Sequence, residues 1–169
     1  MKKPALLIFA IICLATVSCT QVTDVATEKE AVLKALQEEG DAYAALDMNR
    51  LAAIHIQDST DTRLATGCTY NTIWKGWDEI KKLYEDYFTR NTGDSAWQNP
   101  KNIKENIIMK VTGNSAWVLC DNIWEFTFNG ESFRQGNKQL AIFEKVNGEW
   151  KFAFNSFMEK PAEVEEISE

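Results

Sequence analysis

The sequence predicts an α+β domain in which helices come first and an antiparallel meander follows. Two observations carry this. The N-terminal half holds three stretches with apolar side chains at helical spacing, and the C-terminal part holds β-rich runs separated by turn-forming pairs. The clearest turn is Val146-Asn147-Gly148-Glu149, followed by Trp150-Lys151-Phe152-Ala153-Phe154. Asn-Gly between strand-forming runs marks a two-residue hairpin, because both central residues of a type I′ turn need positive φ. Helices and a sheet pack as layers, and a long twisted sheet curls, so the space between them becomes core or cavity.

Residues 1–18 stand apart from the fold. Lys2-Lys3 is a short positive region, Ala5 to Ala15 is apolar, and Thr16-Val17-Ser18 leads into Cys19. The apolar run is too short to span a bilayer and reads as an export signal. Small residues ending at a Cys resemble the lipobox of bacterial lipoproteins, with Thr16 where that motif has Leu. The resemblance implies that Cys19 is diacylated and becomes the mature N-terminus. Cleavage by ordinary signal peptidase is the alternative. Thr20, rather than an Asp after the Cys, implies a lipid anchor in the outer membrane of the cell envelope.

Residues 19–27 read as a polar tether. Thr27-Glu28-Lys29-Glu30 has the form of a capping box, and Val32, Leu36, Tyr43 and Leu46 continue as the first helix. Gly40 inside it weakens the helix and marks a close approach by another element. Asp47 or Asn49 caps a second helix through Leu51 to Ile56. A third begins near Trp77, with Asp78 and Glu79 in its first turn and Ile80, Leu83, Tyr84, Tyr87 and Phe88 along one stripe. Cys68 to Trp74 is strand-like between Gly67 and Gly76. After a polar loop at Asn91 to Lys101, four strands follow at about 102–112, 115–128, 132–146 and 149–158. Residues 28–158 therefore form one domain, and 159–169 an acidic, disordered tail.

Composition narrows the function classes. Of 169 residues, 45% are hydrophobic and 25% charged, ordinary for a globular chain. Without Lys2 and Lys3 the 18 basic residues become 16 against 25 acidic ones, a net charge of −9. An acidic domain without a Lys/Arg cluster is a poor match to nucleic acid, and nucleic-acid binding is excluded. With a single His there is no metal-ligand spacing, and no phosphate loop, dinucleotide fingerprint or Ser-His-Asp pattern is present, so no cofactor is expected. Cys68 and Cys120 can form a disulfide after export or remain buried thiols.

Three motifs carry a family resemblance. Gly113-Asn114-Ser115-Ala116-Trp117-Val118 resembles the "G-D-x-A-W-V" strand of SnoaL-like domains in the nuclear transport factor 2-like superfamily. Lys75-Gly76-Trp77-Asp78-Glu79-Ile80 resembles the start of that family's third helix, and Asn147-Gly148-Glu149-Trp150-Lys151-Phe152 its terminal hairpin. The likeness covers about residues 28–158. It implies three helices packed on a strongly curved mixed/antiparallel sheet, a cone with a cavity between. The superfamily includes cyclases, isomerases, dehydratases, association domains and adaptors, so the resemblance implies a pocket and no particular chemistry. The sequence departs from the isomerase-like members: Arg63-Leu64-Ala65 has no carboxylate where they have a general base. Tyr43 lies about three residues from the place of their oxyanion donor, and Asn155 replaces the His that ends many relatives' last strand.

Candidate site residues each have a functional and a plain reading. His55 is a possible general base oriented by Asp58 or Asp61, or a histidine at a helix C-terminus. Asp121 and Glu125 share one strand face and form either a catalytic pair or a solvated stripe. Alternation with Val118, Cys120, Trp124, Phe126 and Phe128 favours the stripe. Tyr43, His55, Tyr70, Trp74, Tyr84, Trp97, Trp124 and Asn155 are the expected pocket residues, with core packing as the alternative for the aromatics. Arg134 holds an anionic ligand or makes a surface cross-strand pair. The sequence thus predicts an envelope-anchored domain that binds a small apolar or aromatic molecule without turnover, as a homodimer. The alternatives are a cofactor-independent isomerase, lyase or cyclase using His55 or a buried carboxylate, and a dimerisation module using its outer sheet face.

Overall fold

The computed structural model describes residues 24–67, 69–91 and 97–159. The export signal, Cys19, Cys68 and residues 160–169 of the acidic tail lie outside the described residues. Helix α1 (Val25–Ala44) and the short α2 (Met48–Ala53) are followed by strands β1 (Thr62–Thr66) and β2 (Asn71–Lys75). Helix α3 (Trp77–Arg90) leads into β3 (Gln98–Thr112), β4 (Ser115–Phe128), β5 (Glu131–Val146) and β6 (Glu149–Glu159).

The strands form one six-stranded sheet in the order β2-β1-β6-β5-β4-β3. All pairs are antiparallel except β1 with β6, so the sheet is mixed, and it does not close. The expected type I′ hairpin forms: Asn147 and Gly148 have φ of 53° and 87°. Asn129 and Gly130 turn the β4–β5 hairpin the same way, at 51° and 80°.

The helices cover one sheet face. Val32 and Leu36 of α1, Leu51 of α2, and Ile80 and Tyr84 of α3 are buried with Val118, Phe143 and Phe152 of the sheet. Each fully buried side chain of this size contributes about 1.5–3 kcal/mol. Gly40 is where α1 meets β3. A Cβ there would lie 2.1 Å from Asn102 Oδ1, so only glycine lets the helix settle this close.

Several local expectations are corrected. Asp24, not the Thr27 capping box, caps α1, accepting from Ala26 N at 3.2 Å. Helix α2 ends at Ala53 rather than reaching Ile56, because residues 54–56 leave it to pair with β6. Phe152 N donates to Ile54 O at 2.7 Å, and Ile56 N donates to Phe152 O at 3.1 Å. His55 thus sits past the helix C-terminus, in a parallel bridge opposite Phe152. Strand β3 begins at Gln98, four residues earlier than its first periodic residue suggested.

Candidate functional site

A row of polar side chains crosses the helix-facing side of the sheet, and strand register lines it up. Lys104 lies opposite Asn122, Asn122 opposite Asn137, and Asn155 opposite Arg63. Lys104 Nζ donates to Asn122 Oδ1 at 2.7 Å and to Gln139 Oε1 at 2.6 Å. Gln139 Nε2 donates to Asn155 Oδ1 at 2.9 Å. Asn155 Nδ2 in turn donates to Glu39 Oε1 at 3.3 Å. Glu39 is a buried carboxylate from α1 and the hub of the row. It lies 3.5 Å from Arg63 Nη1 and 3.6 Å from Lys104 Nζ.

The row extends from Arg63 into α3. Arg63 Nη1 donates to the Tyr84 hydroxyl at 2.7 Å, and that hydroxyl lies 3.5 Å from His55 Nε2. On the other side of the ring, His55 Nδ1 is 2.7 Å from Asp61 Oδ2. A consistent proton order runs Arg63 to Tyr84 to His55 to Asp61, each group donating to the next. His55 stacks on Phe152 at 5.4 Å between ring centroids and is wholly buried. Asp61 Oδ1 is buried with no hydrogen-bond partner among the described residues. Asp58 instead accepts from Thr60 and is exposed, so Asp61 is the carboxylate that orients His55.

Burial sets the proton affinities here. It holds the Tyr84 and Tyr43 hydroxyls above the ordinary tyrosine value, in Tyr84 against the pull of Arg63. Lys104 is lowered by burial, which outweighs its attraction to Glu39. Burial alone would lower Arg63, but Tyr84, Glu39 and Tyr43 hold it above its usual value.

Beside the row lies a cavity of about 200 Å³, walled by Tyr43, Trp97, Trp124 and Phe157 and floored by Glu39, Arg63, Asn122, Gln135 and Asn137, with Ala65 at its side. A groove of about 350 Å³ shares Trp124, Gln135 and Asn137 with it. Three of the expected pocket residues, Tyr43, Trp97 and Trp124, therefore meet at one site. Tyr43 and Trp124 are 5.6 Å apart, and Trp97 and Trp124 5.8 Å, between ring centroids. The others are elsewhere. Tyr84, His55 and Asn155 are buried behind the wall, Trp74 is half-buried on β2, and Tyr70 is exposed with its hydroxyl on Glu159 at 2.5 Å.

Asp121 and Glu125 lie on the opposite sheet face, paired with Lys138 and Arg134 across the β4–β5 register. Arg134 also reaches Glu105 at 3.1 Å, so it is a cross-strand surface ion-pair residue. Cys120 is a buried free thiol whose pKa burial raises. Sequence reasoning missed Glu39, Arg63, Lys104 and Gln139. Glu39 did have a signal: it sits three residues after Leu36 and seven after Val32, on the apolar stripe of α1.

No family model matches the chain, and no curated protein matches its sequence. Solved structures match its fold. A candidate dehydratase of the nuclear transport factor 2-like family from Streptomyces avermitilis aligns at a TM-score of 0.67 and 17% identity, covering 82% of this chain and 99% of that one. A nuclear transport factor 2-like superfamily protein from Salmonella enterica serovar Typhimurium aligns at 0.64 and 14%, covering 85% and 98%. A candidate aromatic ring hydroxylase from Novosphingobium aromaticivorans aligns at 0.65 and 11%, covering 81% and 92%. The chain has the nuclear transport factor 2-like α+β cone fold.

Proposed function

We propose that this cone fold holds a small cyclic molecule in the cavity of Tyr43, Trp97 and Trp124 and releases it unchanged. One observation carries the reading: aromatic walls converge on a hydrogen-bonding floor of Arg63, Asn122, Gln135 and Asn137. That combination is how small-molecule pockets are built, with apolar faces for affinity and a few polar groups for orientation. The absence of turnover is supported by position. His55 and Asp61 pair behind Tyr84 and do not line the cavity, out of reach of a bound molecule. Native mass spectrometry of the purified chain tests the reading. A retained small-molecule mass that disappears in Trp97→Ala with Trp124→Ala supports it, and an unliganded mass that no ring compound alters sinks it.

A second reading, an isomerase or lyase, is favoured by Glu39, whose carboxylate is on the cavity wall and could take a proton from a bound carbon acid. Product formation from any retained compound, abolished in Glu39→Gln, would establish it. The domain is also proposed to be tethered to the envelope through lipid on Cys19 and to pair with a second copy. Cys19→Ala should end palmitate labelling and membrane fractionation, and persistent labelling would refute the anchor.

A further inference from the structure

The cavity lining carries one guanidinium, Arg63, and one carboxylate, Glu39. Arg63 of β1 brings a cation to the cavity floor, while Lys104 of β3 lies in the buried row on the other side of Glu39. One buried carboxylate, Glu39 of α1, faces both. Asp61, held on His55 behind Tyr84, is outside the cavity lining. Tyr43 and Tyr84, which also face Arg63, stay protonated, since burial raises both. Glu159, which lines the adjoining groove, accepts from the Tyr70 hydroxyl. A guanidinium with unused donors on a cavity wall is a receptor for an anion from solution.

Arg63 has the donors to receive that anion. Its polar contacts among the described residues, to Tyr84 and Glu39, both use Nη1. The Nε–Nη2 edge makes no hydrogen bond among the described residues, and the residue lines the cavity. The guanidinium lies 4.4 Å from the Phe157 ring centroid and 5.1 Å from that of Tyr84, so its orientation is fixed between two rings. Elsewhere in the molecule the same edge grips a carboxylate: Arg50 Nε and Nη2 donate to the two oxygens of Glu38 at 2.6 and 2.9 Å. A fork of this kind matches a planar carboxylate with two parallel bonds.

We propose that the ligand is a small aromatic carboxylic acid. Its carboxylate sits on the free edge of Arg63, and its ring lies against Trp97, Trp124 and Tyr43. This deepens the pocket reading and rests on it. A cavity of about 200 Å³ suits one ring with a short acid arm. The amides of Asn137 and Gln135 are at hand for a ring substituent or for the second face of the carboxylate.

The probes are benzoate and its uncharged isostere benzamide, titrated into the intact chain by calorimetry, with tryptophan fluorescence as a second readout. Benzoate should bind at least tenfold more tightly than benzamide. Arg63→Gln should abolish that preference, and a tenfold preference for benzoate that survives the substitution would overturn the acid class. Equal affinities for the two probes would overturn the acid class and leave the cavity reading standing, whereas no binding of either, with no retained mass, would overturn both. If Arg63→Gln fails to fold, Asn137→Asp replaces it. That variant keeps an acceptor for Asn122 Nδ2, now 3.1 Å away, and adds a negative charge to the wall. Benzoate binding should then weaken at least fivefold, and unchanged binding would overturn the proposal.

Discussion

Glu39 shows how much one side chain can hold. It faces Arg63, Lys104 and Asn155, and its side chain is only 5% exposed. Removing one member of a buried charged group leaves the others unpaired, which typically costs about 3–5 kcal/mol. Glu39→Gln is therefore expected to lower stability by about 3 kcal/mol in denaturant unfolding. Adding Lys104→Met should restore part of that loss, because the two residues belong to one network. His55 behaves similarly. His55→Ala would strand the buried Asp61 carboxylate and empty the space against Phe152, at a cost of about 3 kcal/mol. An unfolding curve unchanged from the parent would contradict this. At this scale the sequence was only partly legible. The aromatic residues of the wall could be read from composition, but the network depends on which strand lies beside which. Lys104 on β3 and Gln139 on β5 meet only because both flank Asn122 and Cys120 on β4.

At the scale of elements, α1 is held by one missing side chain and one aromatic seam. Alanine favours a helix over glycine by about 1 kcal/mol. Gly40→Ala should nevertheless destabilise, by about 1–3 kcal/mol, because its Cβ would collide with the Asn102 side chain of β3. A rise in thermal midpoint would show that the contact yields. The seam joins α1 to α3: Tyr43 stacks on Tyr87 at 4.6 Å and meets Tyr84 at 5.9 Å. Burial raises Tyr43 and Tyr84 above the ordinary 10.0, so folding favours their protonated forms. Their contribution is complete below pH 10 and is lost as pH climbs above it, because the unfolded chain then ionises and the folded one does not. Tyr43→Phe should flatten the alkaline fall in stability measured by urea unfolding from pH 9 to 11.5. The hairpins among these elements were readable because Asn-Gly turns are local. The pairing of residues 54–56 with β6 was not, since nothing in either segment names its partner about a hundred residues away.

For the whole molecule, the sheet face turned away from the helices exposes Ile108, Trp117 and Ile142, with Trp117 and Ile142 directly opposite each other. Apolar surface gathered in this way is costly in water and is commonly an association surface. Trp117→Glu should convert a dimer to a monomer in light scattering while leaving the helix-side cavity intact. A monomeric parent chain would remove this proposal. The overall architecture followed from the order of helical and strand periodicities. The mixed character of the sheet came from the family resemblance, because parallel pairing of distant strands leaves no local mark.

Strand β6 lies between β1 and β5 and hydrogen-bonds to both. It therefore joins two halves that otherwise share no strand pairing: β1–β2 on one side and the β3–β4–β5 meander on the other. During synthesis the meander can zip as soon as it emerges, but the edge of β1 not paired with β2 stays open until residues 149–159 are made. The order of assembly is thus set by the last strand. Contacts this far apart in sequence slow folding, and the unpaired edges of β1 and β5 stay open to other chains until β6 arrives. A variant that weakens β6 should show its effect first as lost yield during production, before any change in the finished protein's binding.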